Sequence, residues 1–341
     1  MTVMTASRIA NPATLADIVI PDAARDSMGR QLSAMPEPTA QIDWAMARFH
    51  QIFATLPVEV LQQILDFGRH SDTPGVGYVR NLPVDAVLPG TPADGGPVNG
   101  KPSYVAEGVL LGLSGLLGEP VGFMTEKQGQ LVHDVVPVPG GAKTQTNQGS
   151  TVFLNFHNDI VHDHIGRYDV SNPDFLVLSC LRADHEGIAA TYYADARDIV
   201  AALDDHALEI LRSPLFRLNA PGSYVRDVAG GGEVLSDPVP ILSGPEAFPE
   251  IAVSANGVRA MTSGAQAVLD RLQAACREVS HQVFLRPGQA LLINNRKGLH
   301  ARSQFTARYD GEDRWLQRTY VRRSQWNIRY RATEGSRRVH H

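Results

Sequence analysis

Arg286-Pro287-Gly288-Gln289-Ala290-Leu291-Leu292-Ile293-Asn294-Asn295-Arg296-Lys297-Gly298-Leu299-His300-Ala301-Arg302 sets the frame for the whole chain. Pro287-Gly288 makes a turn. Residues 290–293 form an apolar run of strand length. The chain then turns again and delivers a histidine. Short runs of the same kind, separated by turn residues, recur at 131–138, 151–156, 174–181, 189–193, 234–242, 251–254 and 316–322. One helix interrupts at about 264–279, with Val268, Leu269, Leu272, Ala275 and Val279 on one stripe. Another spans about 195–212, carrying Ile199, Val200, Leu203, Leu208 and Leu211. Many short strands with few strand–helix–strand alternations predict a mainly β fold with flanking helices. The architecture expected is a jelly-roll, or cupin-like double-stranded β-helix, core.

Upstream the periodicity is helical. Residues 41–69 divide at Pro57, which suits the first turn of a second helix. A short strand is expected at 75–82, a loop at 89–97 and an apolar helix at 104–117 that ends at Gly118. The first forty residues have weak periodicity and are expected to drape over the domain or to be partly mobile. With no repeat and no linker, the chain reads as a single domain over 1–341. It has a largely helical part at 1–118 and the β core at 119–330. The glycine-rich stretch 215–237 is expected to form a lid.

The 341 residues carry a formal net charge of −5. A mildly acidic chain has no electrostatic reason to seek nucleic acid or an anionic membrane, so a small-molecule partner is expected. No run approaches the roughly 18 apolar residues needed to cross a bilayer. The two cysteines, Cys180 and Cys276, imply no disulfide framework, which points to a reduced cytoplasm. Cys180, inside an apolar run, reads as a small buried hydrophobe.

The chemistry centres on Asn155-Phe156-His157-Asn158-Asp159. On a strand, His157 and Asp159 would share a face, because side chains alternate with period two. An imidazole and a carboxylate side by side can hold a divalent metal, and His300 is the candidate third ligand. Two histidines and one carboxylate leave open positions on an octahedral ion, the facial arrangement of non-haem iron oxygenases. Taken alone, His-x-Asp is a weak signal, since a histidine near an aspartate is common. The nearby His162 and His164 could compete, although turn-surface histidines are the commoner case.

The wider text strengthens the reading. Leu131-Val-His-Asp-Val-Val-Pro137, the His-x-Asp, the 173–182 and 238–244 blocks, His300-Ala-Arg-Ser303 and Arg308-Tyr-Asp-Gly-Glu-Asp-Arg-Trp-Leu-Gln-Arg318 resemble one known family. It is the clavaminate synthase-like branch of the taurine-dioxygenase superfamily, which includes asparagine oxygenase and arginine and lysine hydroxylases of antibiotic pathways. The resemblance spans roughly residues 105–325. It implies Fe(II), 2-oxoglutarate as cosubstrate, and dioxygen. It places a 2-oxoglutarate-binding arginine fourteen residues after the distal histidine, which is Arg314 here. Arginine suits that place because its fork matches a carboxylate. Thr191 aligns with a second cosubstrate contact. Arg318 fills the position that holds a substrate α-carboxylate in this branch.

For the α-amino group the candidates are Glu126, Gln128, Gln130, Asn147 and Gln148, with Gln130 preferred. Tyr224, Arg226 and Asp227 in the expected lid are candidates for reading the substrate side chain. The function implied is hydroxylation of an unactivated C–H, at Cβ or Cγ, of a free L-amino acid or close derivative. Desaturation or cyclisation with the same cofactors is the alternative, and a non-catalytic jelly-roll binding protein the alternative from another class. Asp159 argues against halogenation, in which the branch replaces this carboxylate by a small residue. The segment between Asp159 and Pro173 is longer than in the hydroxylases the chain resembles, so the substrate cannot be borrowed from any one of them.

Overall fold

A computed structural model describes residues 15–98, 100–143, 149–161, 172–220, 225, 232–332 and 336–340. In chain order the strands are β1 (Ala16–Val19), β2 (Val76–Arg80), β3 (Glu119–Phe123), β4 (His133–Val135), β5 (Leu154–His157), β6 (Phe175–Arg182), β7 (Thr191–Asp195) and β8 (Phe216–Leu218). They continue as β9 (Leu242–Ser243), β10 (Glu250–Ile251), β11 (Val258–Ala260), β12 (His281–Val283), β13 (Ala290–Asn294), β14 (Gly298–Arg302), β15 (Trp315–Arg322) and β16 (Arg338–Val339). The helices are α1 (Asp22–Ser33), α2 (Ile42–Phe53), α3 (Val58–Arg69), α4 (Val105–Leu117), α5 (Ala196–Ala202), α6 (Asp205–Leu211) and α7 (Ser263–Val279).

The result is a sheet-dominated fold with flanking helices. An eight-stranded sheet runs β1-β2-β13-β6-β15-β3-β16, with β4 paired to β15. A four-stranded sheet runs β12-β7-β14-β5. Strand alternation explains the layering. On β13, Ala290 and Leu292 join an apolar cluster with α1–α4, whereas Leu291 and Ile293 join one that also takes Tyr193 and Val283 from the smaller sheet. β6 divides likewise, with Phe175 and Val177 toward the helices and Leu176, Leu178 and Cys180 between the sheets. Strands covered on both faces read as continuous apolar runs. On the far side, Ala194, Leu299 and Ala301 pack against α5, α6 and α7. Helix α4 is buried nearly all round, which suits its place against β15 and β6.

Several elements depart from the sequence expectation. The helix expected at 195–212 is two, because Leu203 and Asp204 are extended and the Asp204 side chain accepts from Ala207 N–H to start α6. Of the run 131–138, His133–Val135 is strand. The run 234–242 is mostly irregular, tied by single bridges Asn219↔Leu235 and Phe216↔Val239. The first forty residues hold β1, parallel to β2, and α1, whose buried residues are Met28 and Leu32. A four-residue edge strand and a helix with so thin an apolar stripe give little periodic signal. The lid expected at 215–237 falls partly outside the described residues, as do Tyr224, Arg226 and Asp227. Among the described residues no helix is long and apolar enough to cross a membrane. Both cysteines are free and buried, and burial pushes each thiol up to about 12.

Candidate active site

The two sheets bring their inward-facing residues together. In the smaller sheet His300 on β14 lies in register with His157 on β5. The two rings stand 4.3 Å apart between centroids. Gly298 permits β14 to start this close to β7, since a Cβ there would lie 2.4 Å from the Ala194 carbonyl oxygen. β5 ends at His157, so Asp159 does not share a strand with it as the period-two argument supposed. Asp159 follows in a bend, ahead of Ile160 at φ 49°. The bend still brings its Oδ1 within 3.5 Å of His157 Nε2 and 3.8 Å of His300 Nε2. The ligand atoms of the three residues all lie within 4.8 Å of one another.

Protonation states suit a metal. His157 Nδ1 lies 2.6 Å from the Asn155 carbonyl, to which it donates, so the Nε2 lone pair faces inward. Burial, with His157 alongside, pulls His300 down to about 3, so its ring is neutral at physiological pH. Burial pushes the Asp159 carboxyl up, but Arg318 and the two imidazoles outweigh it and hold the group well below the carboxylate range. Two imidazoles and one carboxylate are a fitting donor set for a divalent ion.

From the larger sheet, Leu316, Arg318 and Tyr320 of β15, with Arg314 just before the strand, point at this cluster. The odd-numbered Trp315 and Gln317 face α4. Arg318 is buried. Its Nη1 donates to Asp159 Oδ2 at 2.7 Å and its Nη2 to Glu126 Oε1 at 2.8 Å. Register pairs Arg318 with His133 on β4, whose Nδ1 lies 3.2 Å from the same Nη2. Burial pulls His133 down to about 4, and its Nε2 donates to the Gln130 carbonyl, leaving Nδ1 as the acceptor. The guanidinium stacks 4.5 Å from the Tyr320 ring, and the Tyr320 hydroxyl donates to Glu126 Oε2 at 2.5 Å.

Arg314 differs. It is buried and forms no salt bridge among the described residues, Asp184 acting on it only through space. Its Nη2 reaches Thr191 Oγ1 at 3.5 Å, and its guanidinium lies 5.7 Å from the Phe305 ring. Burial lowers its pKa. A desolvated cation without an anion is costly unless a ligand brings one, and a dicarboxylate cosubstrate would do so. Arg302 reaches the Phe305 ring at 5.4 Å.

The structure thus gathers His157, Asp159, His300, Arg314, Thr191, Arg318 and Glu126. It does not bring Gln130 to them: that side chain borders a separate cavity of about 450 Å³ with Glu107, Leu131 and Asp134. Asn147 and Gln148, like His162 and His164, lie outside the described residues. Sequence reasoning passed over His133 and Tyr320. Tyr320 could have been found by continuing the even-numbered count from Arg314 and Arg318. A second group, His185, Asp310 and Asp313, also meets metal-ligand spacing, but Asp310 is exposed and Asp313 already accepts two backbone N–H groups.

A carboxylate and two histidines between sheets, with a lone buried arginine close by, define a site of the mononuclear non-haem oxygenase class. The family model "Taurine catabolism dioxygenase TauD, TfdA family" matches residues 105–320. L-asparagine oxygenase of Streptomyces coelicolor is 36% identical over 327 residues, 93% of this chain and 92% of that protein. L-lysine 3-hydroxylase of Catenulispora acidiphila is 30% identical over 79% of this chain and 73% of that protein. A crystal structure of asparagine oxygenase with Fe(II), 2S,3S-3-hydroxyasparagine and succinate has a TM-score of 0.85 at 32% identity, covering 95% of this chain and 99% of that one. The chain belongs to the TauD/TfdA dioxygenase family. It is a 2-oxoglutarate-dependent dioxygenase that uses Fe(II) and dioxygen.

Proposed function

We propose that this enzyme hydroxylates an unactivated C–H, at Cβ or Cγ, of a free L-amino acid or close derivative in specialised metabolism. The observation that carries the reading is the buried Arg318–Glu126 pair set against Asp159. An α-amino acid presents one carboxylate and one ammonium, and this pair offers each its counter-charge. The names of the relatives, an asparagine oxygenase and a lysine hydroxylase, support the same substrate class.

In this reading His157 Nε2, Asp159 Oδ1 and His300 Nε2 hold the metal. Bound iron with 2-oxoglutarate and dioxygen supplies the oxidising chemistry. Arg314 and Thr191 hold the distal carboxylate of the cosubstrate. Arg318 takes the α-carboxylate and Glu126 the α-amino group, in preference to Gln130. Arg318 keeps Asp159 Oδ2 occupied, so one carboxylate oxygen is left for the metal. The apolar residues between the sheets limit water, which strengthens each of these charge contacts. We further infer that the two facing sheets form a double-stranded β-helix, that 1–341 is a single oxygenase unit with its N-terminal part at 1–118, and that free, buried cysteines fit a cytoplasmic setting.

The test is incubation with Fe(II), ascorbate and 2-oxoglutarate over a panel of L-amino acids, reading succinate together with product mass. A hydroxylated product formed in step with succinate, and lost in His300→Ala, is expected. Absence of succinate with every panel member would sink the proposal, and a product lighter by two hydrogens would replace hydroxylation by desaturation.

A further inference from the structure

Asn158 and Asn295 are 0% and 1% exposed, and neither is a candidate to touch metal, cosubstrate or substrate. The Asn295 Oδ1 accepts from the Asp159 N–H at 3.1 Å, while its Nδ2 donates to the Asp159 carbonyl at 2.8 Å and the Pro173 carbonyl at 3.1 Å. The Asn158 Nδ2 donates to the carbonyls of Asn295 at 2.6 Å and Gly298 at 3.0 Å, and its Oδ1 accepts from Val253 N–H at 2.8 Å.

These bonds lie where the backbone ladder is missing. β5 has ended at His157 and β14 begins only at Gly298. Asp159, in the bend just after β5, would otherwise have a buried N–H and C=O without partners. The side chain of Asn295 takes the place of a strand and pairs with both. Asn158 then ties that pairing to the segment leading to His300. Asp159 is thereby referred to the strand bearing His300 through two amides, with no strand of its own to hold it. Only a short amide serves, because the position needs one acceptor and two donors at once. Aspartate would set lone pairs against the carbonyls of Asp159 and Pro173, and an apolar side chain would leave several buried groups unpaired.

We propose that Asn295, braced by Asn158, is a positioning residue of the metal centre, fixing the Asp159 carboxylate relative to His300. The proposal rests on the triad reading above. It predicts that Asn295 variants lose metal affinity out of proportion to any loss of stability.

The experiment titrates the metal-free full chain with Mn(II) alone, following free Mn(II) by electron paramagnetic resonance, with a thermal melt of each variant. Ile64→Ala, in the apolar cluster under the helices, is the control for general destabilisation. Asn295→Ala and the near-isosteric Asn295→Asp should each raise the Mn(II) Kd by about tenfold or more, the usual reach of residues behind a metal ligand, while Ile64→Ala moves it less than about twofold. A folded Asn295 variant whose Kd stays within about twofold of wild type, or a control that shifts as far, overturns the proposal. If Asn295→Ala does not fold, Asn295→Asp decides by the same measure. Failure of both to fold assigns Asn295 to folding and also overturns it. A wild type that binds no Mn(II), or a His300→Ala that binds as tightly, instead removes the triad reading itself.

Discussion

Arg314→Met should make the ligand-free protein more stable while removing its response to cosubstrate. Arg314 is 5% exposed, and its hydrogen bond to Thr191, at 3.5 Å, is at the limit of a useful interaction. With no salt-bridged carboxylate among the described residues, its desolvation is opposed only by the Phe305 ring at 5.7 Å and by the more distant charge of Asp184. Cation–π contact is worth about 1–2 kcal/mol, less than the several kcal/mol that burying a lone charge costs. Methionine fills a similar length without a charge, so a net gain of about 1–3 kcal/mol is expected. At about 2.1 cal/mol/K per residue, a chain of 341 residues has an unfolding entropy near 0.7 kcal/mol/K, so that gain raises Tm by about 1.5–4 °C. Excess 2-oxoglutarate, about a hundredfold over Kd with Mn(II) present, should add about 2.7 kcal/mol to wild type and nothing to the variant. Thermal melts with Mn(II), with and without 2-oxoglutarate, should therefore cross: the variant higher without cosubstrate, wild type equal or higher with it. A variant that melts below wild type without ligand, or keeps the cosubstrate shift, would refute the account of Arg314 as an unpaired anchor.

Three other consequences follow from the same contacts. Arg318→Ala leaves Asp159 and Glu126 buried together without their shared cation and should cost about 3–5 kcal/mol, measured by denaturant unfolding; a loss below about 1 kcal/mol would contradict the pairing. The imidazoles of His133 and His300, held down to about 4 and 3, are neutral when folded yet take up protons near 6.5 when unfolded. Their contribution is complete above pH 6.5 and is lost as pH falls toward 4 and 3. The metal-free chain should accordingly be less stable at pH 5 than at pH 7, by up to about 2 kcal/mol for each ring at 1.36 kcal/mol per pH step, and a flat profile between those values would count against both assignments. Thr191→Val, which removes the long hydrogen bond to Arg314 and one neutral hydroxyl contact to the cosubstrate, should weaken 2-oxoglutarate binding by about tenfold or less in equilibrium titration, far short of the loss in Arg314→Met.

The parts of the site that could be read in advance are those where a regular strand preserves the count. Arg314 and Arg318 were placed on one face by their even spacing; Arg314 lies one residue before β15, and from Leu316 onward the strand alternates, so Tyr320 falls in line with Arg318 and Gln317 against α4. His300 followed from its turn–strand–turn context, and the structure sets it in register with His157. Where the chain leaves regular structure the count fails. Asp159 arrives beside His157 by a bend whose course is held by Asn158 and Asn295, side chains that carry no periodic signal. The segment 126–130 is the sharper case. Lys127 and Gln128 both have positive φ, at 47° and 57°, which turns the chain over within two residues. Glu126 therefore meets Arg318, while Gln130, four residues on, borders a different cavity and lends only its carbonyl to His133. Extended through that turn, a strand count would put Glu126 and Gln130 on one face, so no period could have chosen between them. The choice was made by the left-handed pair at 127–128, a conformation that two non-glycine residues adopt only when the surrounding contacts enforce it. Those contacts include the Lys127 amine, which donates to the carbonyls of Gly95 at 2.6 Å and Asp134 at 3.0 Å, and so anchors the turn that delivers Glu126 to Arg318.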